Sequence, residues 1–422
     1  MANRSSAPPH AAAGTQASAA ARTVVARWLD VRDDVATALV DLPRATRLQL
    51  TCGTAVRDIT LRESIAAGHK FAIASHPAGI RIRKYGEFIG TLRDAVDAGA
   101  WVHEHNLATS ARRTAADEQA WREQTSIAVT PCAPRAATSR ATAAPIYDTT
   151  TRRLCWIDAG DDDAIAGCEV DGTEFHRWPL PYAVDALIVA EDGALLASGP
   201  HGALALASDT WTDRGLRPVV MAALPASRAL HCDARGRLFA IVERDASQQA
   251  QLQVRDDGDW VPILDDLTLP CALASDADAT TLYVVEASRA RVQAVDFDGP
   301  AGSLRARTFA ELAAYPGEPC GAAVDVEGNL WTTLTDAGYV LRIDTAGRLA
   351  RVLRLPVQAP TACVFGGVDH ARLFVSTSRH ASPAGAVDAD PLAGQVLALD
   401  VGARGFAQRR WARPRDIDRS AR

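Results

Sequence analysis

The chain has 422 residues, 48% hydrophobic and 23% charged, which predicts an ordinary globular protein of two or three folded units. Its net charge of −6 argues against nucleic acid or an anionic membrane as a partner, and no apolar run is long enough to span a bilayer. Eight cysteines without a CxxC pair argue against a disulfide scaffold and favour a cytoplasmic protein.

Composition divides the chain into five segments. Residues 1–22 are rich in Ala, Ser and Pro and lack the apolar stretch of a secretory signal, so we expect a disordered tail. Residues 23–108 predict a small β unit whose strands follow Ala-Gly turns, as in "IAAGHK" and "VDAGAWVH". Residues 109–141 lose periodicity and predict a linker with one short helix. Residues 142–408 carry strands throughout, and residues 409–422 are expected to form a solvated tail.

Residues 142–408 repeat one design six times. In "LIVAEDGALLASG", "LHCDARGRLFAIV" and "AAVDVEGNLWTTL" a short apolar strand runs into an Asp/Gly turn and a second strand comes after it. This spacing predicts an all-β fold, a six-bladed β-propeller preceded by a small β domain. An irregular β-sandwich is the alternative, but it explains neither the number of repeats nor their spacing. The second strands fall about 40 to 48 residues apart, near Trp156, Leu196, Phe239, Tyr283, Trp331 and Phe374.

The front unit resembles a known domain. Its phrases "ITLRESIAAGHKFAI" and "IRKYGEFIGTLRDAVDAGAWVHEHNL" are similar to the SAF-type N-terminal domain of altronate and galactarate dehydratases over residues 33–107. The resemblance implies a β-clip-like fold. Those enzymes carry a large second domain with the dehydratase chemistry, and nothing in this chain resembles it. A separate dehydratase catalytic subunit is therefore an expected partner.

The repeats resemble the senescence-marker-protein, gluconolactonase and luciferin-regenerating-enzyme family over residues 140–408. The resemblance is carried by "RRLCWIDA", "GEPCGAAVDVEGNLWTTL" and "APTACVFGGVDHARLFVSTSRH". It implies a six-bladed propeller that hydrolyses sugar lactones with one divalent metal at the mouth of a central channel. The family's Glu, Asn and Asp ligands correspond here to Ala143, Cys271 and Cys320, and a substrate-contacting pair corresponds to Arg228 and Ala229. Because hard divalent ions need oxygen ligands, we expect no metal cofactor of this kind.

The thiols allow several interpretations. Cys271, Cys320 and Cys363 should open the fourth, fifth and sixth repeats beside the channel. They could be small buried residues that fill the space of a lost site. The alternatives are a soft divalent metal held by all three, a disulfide, or a catalytic nucleophile. Asp185 should open the second repeat and form a structural ion pair with Arg228, although an anionic channel ligand would also suit Arg228.

Two histidines mark the end of the front unit. His103 and His105 in "VHEHN" are predicted to alternate on one strand and so to share a face, beside Asn106. Such a face could bind a metal or the carboxylate of a sugar acid, and solvent-exposed histidines are the alternative. His69 and Lys84 are weaker candidates. The chain has no GxSxG motif, P-loop or dinucleotide fingerprint.

These observations favour a protein of sugar-acid or sugar-lactone metabolism. With the family's ligands replaced, we expect a binding or accessory protein rather than a standard metal-dependent lactonase. The alternative is an active lactonase-type hydrolase, or a component of a sugar-acid dehydratase (a lyase), with an altered site. The expected ligand is a small sugar acid or lactone in either case.

Overall fold

The computed structural model describes residues 24–108, 113–133, 140–160, 162–206, 218–220, 224–244, 249–297, 304–379 and 391–412. The predicted disordered tail at residues 1–22 lies outside these ranges, as does the end of the predicted C-terminal tail. The chain is nearly all β, with one α-helix and one short 3-10 helix (Val368–His370) in the described part. No helix there combines the length and apolar character needed to cross a membrane.

Nine short strands build the N-terminal domain. They are β1 (Ala26–Arg27), β2 (Val35–Ala38), β3 (Arg47–Cys52), β4 (Ala55–Thr60), β5 (Lys70–Ala72), β6 (Arg81–Lys84), β7 (Glu87–Leu92), β8 (Trp101–Val102) and β9 (Leu107–Ala108). They form a sheet of order β1-β2-β5-β8, the hairpin β3-β4, and the sheet β6-β7-β9. The predicted Ala-Gly turns connect them. At one of these turns, Gly99 has φ +84° and a Cβ there would lie 2.1 Å from the Thr60 carbonyl oxygen, so no other residue fits.

The segment predicted as a linker, residues 109–141, carries structure that docks on the C-terminal domain. Its elements are α1 (Ala115–Arg122), β10 (Thr125–Ser126) and β11 (Val129–Pro131). Helix α1 begins at a capping box in which Thr114 and Asp117 bond each other's backbone N–H groups. Trp121 of α1 packs against the rings of Tyr315 and Tyr339. The expectation of a linker with only a short helix was therefore incomplete, because edge strands of two or three residues leave no periodic pattern in the sequence.

Six sheets make up the C-terminal domain, and the first three contain four strands each. Sheet 1 contains β12 (Ala141–Asp148), β13 (Arg153–Ala159), β14 (Ala164–Glu169) and β15 (His176–Pro179). Sheet 2 contains β16 (Ala186–Val189), β17 (Leu195–Gly199), β18 (Gly202–Leu206) and β19 (Pro218–Val220). Sheet 3 contains β20 (Ala229–Cys232), β21 (Leu238–Glu243), β22 (Gln249–Asp256) and β23 (Asp259–Thr268).

Sheet 4 contains β24 (Pro270–Ser275), β25 (Thr281–Glu286), β26 (Arg291–Asp296) and β27 (Arg305–Glu311). Sheets 5 and 6 each include one strand from the segment between the two domains. Sheet 5 contains β28 (Glu318–Val324), β29 (Leu330–Thr335), β30 (Tyr339–Ile343) and β31 (Leu349–Arg354), with β10 parallel to β31. Sheet 6 contains β32 (Pro360–Gly366), β33 (Arg372–Thr377) and β34 (Val396–Leu399), with β11 antiparallel to β34.

The Asp/Gly turns found in the sequence close the hairpins of these sheets. In "DVEGNLW" the Asp325 carboxylate accepts hydrogen bonds from the N–H groups of Glu327 (3.0 Å) and Asn329 (2.9 Å). Asp233 and Asp344 cap the turns of "DARGR" and "DTAGR" in the same way. The aspartate satisfies backbone donors that a tight turn would otherwise leave open, which explains the repeated motif.

The first strands of the sheets lie side by side. Each of β12, β16, β20, β24 and β28 contacts the first strand of the next sheet, and β32 contacts β12. Apolar clusters fill the space between neighbouring sheets, as where Trp331 of sheet 5 packs edge-on against Phe365 of sheet 6. The six first strands thus surround a common space.

The N-terminal domain docks on sheets 4 and 5. The Arg81 backbone N–H donates to the carbonyl of Ser288 (3.1 Å), and its buried guanidinium donates to the carbonyls of Tyr315 (3.3 Å) and Gly317 (2.5 Å). Burial lowers the pKa of Arg81 to about 10, a value at which it stays charged at neutral pH. Phe88 lies under the Arg81 guanidinium at 3.6 Å, so the cation is held by an aromatic face as well.

Candidate functional site

A cavity of about 200 Å³ lies among the six first strands. All the predicted channel-mouth residues contribute to its wall: Ala143, Asp185, Arg228, Cys271, Cys320 and Cys363. Asp185 and Arg228 come just before their first strands, Ala143, Cys271 and Cys320 are within the first three residues of theirs, and Cys363 is the fourth residue of β32. The amino ends of the first strands are called the mouth below. The opposite end of the cavity lies at the carboxyl ends of the same strands.

The backbone at the mouth is irregular. The pairing of first and second strands slips beside Ala143, Cys271, Cys320 and Thr361, in four of the six sheets. Ala144 and Leu269 adopt left-handed φ values of 43° and 45°, which are unfavourable for residues with a Cβ. Gly321 has φ +72°, and a Cβ there would lie 2.6 Å from the Cα of Ala362. Bulges and left-handed residues of this kind re-aim side chains and are typical of binding and active sites.

Cys271 and Cys320 lie at the mouth on the neighbouring first strands β24 and β28, and both line the cavity. The Cys271 thiol also lies within donor distance of the carbonyls of Val285 (3.5 Å) and Pro319 (3.4 Å). The hydrogen bond to Cys320, with burial second, raises the pKa of Cys271 well above its ordinary value. The same bond lowers the pKa of Cys320, helped by the backbone N–H of Gly321. Of the two thiols, Cys320 is therefore the more acidic.

Cys363 does not join this pair. Its thiol donates to the carbonyl of Trp331 (3.6 Å) inside the apolar cluster between sheets 5 and 6. Burial raises the pKa of Cys363 to about 12, so it is a neutral thiol. The alternative of a soft divalent metal held by all three thiols gains no support from this placement, because the Cys363 thiol points toward Trp331. Among the described residues no group of three His, Cys, Asp or Glu side chains is placed to hold a metal.

The residues at the family's ligand positions do not fit a hard divalent ion. Ala143 offers only a methyl group, and Cys271 and Cys320 offer sulfur, whereas calcium and magnesium take six or more oxygen ligands. Asp185 and Glu243 are carboxylates of the same region, but Glu243 is paired with Arg228.

Arg228 forms its ion pair with Glu243 and not with Asp185, which corrects the prediction. Its Nε donates to a carboxylate oxygen of Glu243 on the adjoining strand β21, where the register places the two residues together. Asp185 is an exposed residue just before β16, and partial burial of its carboxyl group raises its pKa although the nearby charge of Arg228 acts in the opposite direction. Glu243 was missed in the sequence because it ends a second strand, and only the strand pairing shows that it faces Arg228.

His231 is a second residue that the sequence analysis missed. It lies on β20, lines the cavity, and its Nε2 is 2.9 Å from the hydroxyl of Ser275 on β24. Burial lowers the pKa of His231 to about 4, so the ring is neutral at ordinary pH. A polar residue within the apolar strand "ALHC" was the available signal. The residue links sheets 3 and 4 across the cavity wall.

The C-terminal segment, residues 404–412, closes the far end of the cavity, where residues 408–410 line its floor. The Trp411 N–H donates to the Val189 carbonyl (2.9 Å), and the Arg410 guanidinium makes two bonds of 3.0 and 2.6 Å to Asp148. Trp411 is 3% exposed and packs on sheet 2. The prediction of a solvated tail from residue 409 is thus wrong for residues 409–412, because a buried indole and a bidentate ion pair anchor them. Residues 413–422 lie outside the described ranges.

The front-domain histidines lie in a turn after β8, not on one strand as predicted. Asn106 is buried and shapes this turn, since its Oδ1 accepts from the His103 N–H (2.9 Å) and its Nδ2 donates to the Trp101 carbonyl (2.8 Å). The ring of His103 lies 5.0 Å from that of Trp101 and 5.2 Å from that of His69. His105 is exposed, 5.2 Å from Trp101. Lys84, a weaker candidate, lies over the ring of Tyr85.

Comparison with known proteins agrees with this description of two domains. The SMP-30/Gluconolactonase/LRE-like region matches residues 142–379, and the altronate/galactarate dehydratase SAF domain matches residues 27–110. A crystal structure of a calcium-binding protein, regucalcin, from Agrobacterium tumefaciens superposes with a TM-score of 0.59 at 21% identity. That match covers 68% of this chain and 98% of the other, and it shows the likeness of fold alone.

Curated relatives give the same family. A regucalcin of Xenopus laevis is 32% identical over 33% of this chain and 46% of its own length. The pentonolactonase XacC of Haloferax volcanii is 25% identical over 62% of this chain and 91% of its own length. The first of these matches spans about half of the relative. Because the family region covers more than half of the 422 residues, the chain belongs to the SMP-30/Gluconolactonase/LRE-like family, with an N-terminal SAF domain of the altronate/galactarate dehydratase type.

Proposed function

We propose that the chain binds a sugar lactone or the corresponding sugar acid in the cavity of a six-bladed β-propeller, without the divalent metal of its family. The SAF domain acts as an accessory domain in this proposal. Membership of a gluconolactonase-like family and similarity to a pentonolactonase support a lactone as the ligand. The SAF domain supports a sugar acid and, as a partner, a separate dehydratase catalytic subunit.

One observation supports the proposal that this chain does not use the divalent metal of its family. The three positions that correspond to its ligands, Ala143, Cys271 and Cys320, all lie at the cavity mouth, where they present a methyl group and two thiols. A hard ion bound there would lack its oxygen shell. The cavity nevertheless persists, and a binding role requires such a cavity.

The remaining polar groups suit a polyhydroxylated ligand. Arg228, held by its ion pair with Glu243, offers donors at the mouth, and Asp185 adds a carboxyl group just before the neighbouring first strand. The wall between them is apolar, with Leu187 and Leu230 among its residues. Small-ligand sites are commonly built this way, with an apolar wall and a few polar groups that orient the ligand.

The test is calorimetric titration with glucono-δ-lactone, arabinono-γ-lactone and their open-chain acids, before and after treatment with EDTA. We expect binding that EDTA does not change. Arg228→Ala should weaken binding of the acids about tenfold, because a charge-assisted hydrogen bond is lost. Arg348→Ala is the matched control, since Arg348 forms an exposed ion pair with Asp344 within its own turn. Lactone hydrolysis that requires added calcium would contradict the proposal.

A second candidate function is supported by the thiol pair. Cys271 and Cys320 bring two thiols to the same cavity, of which Cys320 is the more acidic, and a metal-independent hydrolase would need such a nucleophile and a proton donor. In this second function the lactone binds in the same cavity and is then hydrolysed there, whereas in the first it is only bound.

A further inference from the structure

We propose that Cys320 is a catalytic nucleophile that opens a lactone bound in the cavity, and that Cys271 delivers and recovers the proton. This inference rests on the proposed binding of lactones in the same cavity and assigns to it a covalent, metal-independent hydrolysis. It gives a chemical role to the two thiols that replace the family's metal ligands.

The positions of Cys271 and Cys320 support the first step, the attack of the Cys320 sulfur on the lactone. Cys271 and Cys320 lie on the neighbouring first strands β24 and β28, and both line the cavity in which the lactone is proposed to bind. The bulge after Cys320 places Gly321 at φ +72° and turns its N–H toward the sulfur. Glycine is required there because a Cβ would meet the backbone of Ala362 at 2.6 Å. The backbone is thus shaped around the Cys320 sulfur.

The chemical state of the thiols supports the assignment. Burial usually raises the pKa of a thiol, and the pKa values of the other seven cysteines are indeed raised. The pKa of Cys320 alone is lowered, chiefly by the hydrogen bond from Cys271. The thiolate is the nucleophilic form of cysteine, so the chain prepares one reactive sulfur and does so inside the cavity.

The reaction balances with water as the only co-reactant. The Cys320 thiolate attacks the lactone carbonyl carbon, a C–S bond forms, and the ring C–O bond breaks. The released ring oxygen takes the proton of the Cys271 thiol and becomes a hydroxyl group. Water then attacks the thioester, the C–S bond breaks, and the water's proton returns to the thiol pair. The product is the open-chain sugar acid, and no electrons are exchanged with an oxidant or reductant.

Mass spectrometry of the intact protein tests the covalent step. Wild-type protein mixed with glucono-δ-lactone and quenched in acid should gain the full mass of the lactone, since ring opening releases no fragment. Neutral hydroxylamine should remove this mass, because it cleaves thioesters and leaves amides formed by lysines intact. Cys320→Ser should lack the hydroxylamine-sensitive adduct, and Cys271→Ser should form it more slowly.

Alkylation gives a second readout that needs no lactone. At neutral pH, iodoacetamide should label Cys320 about tenfold faster than Cys52, a thiol on β3 of the N-terminal domain whose pKa is raised. Cys271→Ser should slow the labelling of Cys320, and Cys52→Ser should leave both the adduct and this rate unchanged.

The outcomes separate this inference from the proposed function. Lactone binding in calorimetry, with no hydroxylamine-sensitive adduct and equal alkylation of Cys320 and Cys52, overturns the inference and leaves the binding role standing. No binding of any lactone or acid overturns both. An adduct of equal yield in Cys320→Ser places the chemistry on another residue and also overturns the inference.

Discussion

Arg83 of the N-terminal domain forms an ion pair with Glu318, with Nη2 and Oε1 3.1 Å apart, two residues before Cys320 in β28. A second carboxylate, that of Asp336, lies 3.1 Å from the same guanidinium nitrogen. The N-terminal domain is therefore attached to the strand that carries the proposed nucleophile. The SAF domain and the cavity mouth are neighbours, not separate modules on a free linker.

The interface predicts that Arg81 stabilises the whole chain. Arg81→Ala leaves the carbonyls of Tyr315 and Gly317 without their donor, at a cost of about 1–3 kcal/mol in the free energy of unfolding. Urea unfolding should give a lower free energy of unfolding for Arg81→Ala than for the wild type. Proteolysis between residues 109 and 141 should be faster in the variant. Arg62→Ala, which removes an exposed pair with Asp97, should change neither. If Arg81→Ala and Arg62→Ala have the same free energy of unfolding, the docking contacts of Arg81 contribute nothing to stability.

His231 predicts a loss of stability in acid. Its pKa of about 4 in the folded state is below the ordinary value of 6.5, so the unfolded chain binds the proton more readily. The stability from neutral His231 is complete above about pH 6.5 and falls as the pH drops toward 4, by up to about 3 kcal/mol. Asp34, whose pKa is raised to about 6 by burial, changes stability in the opposite direction.

The comparison that isolates His231 is with His231→Gln. The amide can keep a hydrogen bond to Ser275 but does not titrate. Urea unfolding at pH 7, 5.5 and 4.5 should show a smaller acid loss in the variant than in the wild type, since Asp34 contributes equally to both. If the free energy of unfolding falls equally with pH in the wild type and in His231→Gln, the acid loss does not come from protonation of His231.

The cavity floor depends on Trp411. Trp411→Ala should lower the free energy of unfolding by about 3–5 kcal/mol, because a buried indole is removed from the surface of sheet 2. Tyr85→Ala, which removes an exposed ring, should cost no more than about 0.5 kcal/mol. A truncation after residue 403 should destabilise at least as much as Trp411→Ala. If Trp411→Ala leaves the free energy of unfolding unchanged, residues 409–412 form a solvated tail after all.

Restoring the family's ligands should create a calcium site. Wild-type protein should melt at the same temperature with calcium or with EDTA. The triple variant Ala143→Glu, Cys271→Asn and Cys320→Asp should gain about 2.7 kcal/mol when calcium is present at a hundred times its dissociation constant. The pair Cys271→Asn and Cys320→Asp without Ala143→Glu is the control and should gain less. A calcium-dependent rise in the wild type would mean that the alignment at the mouth is wrong.

The N-terminal histidines are predicted to bind the carboxylate of a sugar acid. Replacing His103 and His105 with Ala should abolish binding at this domain and leave the melting temperature nearly unchanged. Asn106→Ala should instead destabilise the protein by about 1–3 kcal/mol, because its two backbone hydrogen bonds shape the turn. Calorimetry with gluconate and thermal melts distinguish the two roles. A large loss of stability with unaltered binding would make the histidines structural.

The sequence alone determined the local architecture of the repeats. Each of the six predicted second strands is the second strand of one sheet, because hairpins depend on turn chemistry between adjacent residues. The positions predicted for the channel mouth came from the family resemblance, and all of them line the cavity. Both family resemblances were also visible in short phrases such as "GEPCGAAVDVEGNLWTTL".

Tertiary structure decided the features that depend on contacts between distant residues. Cys320 pairs with Cys271 while Cys363 turns toward Trp331, and strand order alone does not give the direction of a side chain at a bulge. Arg228 meets Glu243 through sheet register, and Trp411 is buried against a sheet more than two hundred residues earlier in the chain. The sequence around each residue does not reveal these long-range contacts. The contacts are stabilised by packing that forms only once the sheets are assembled.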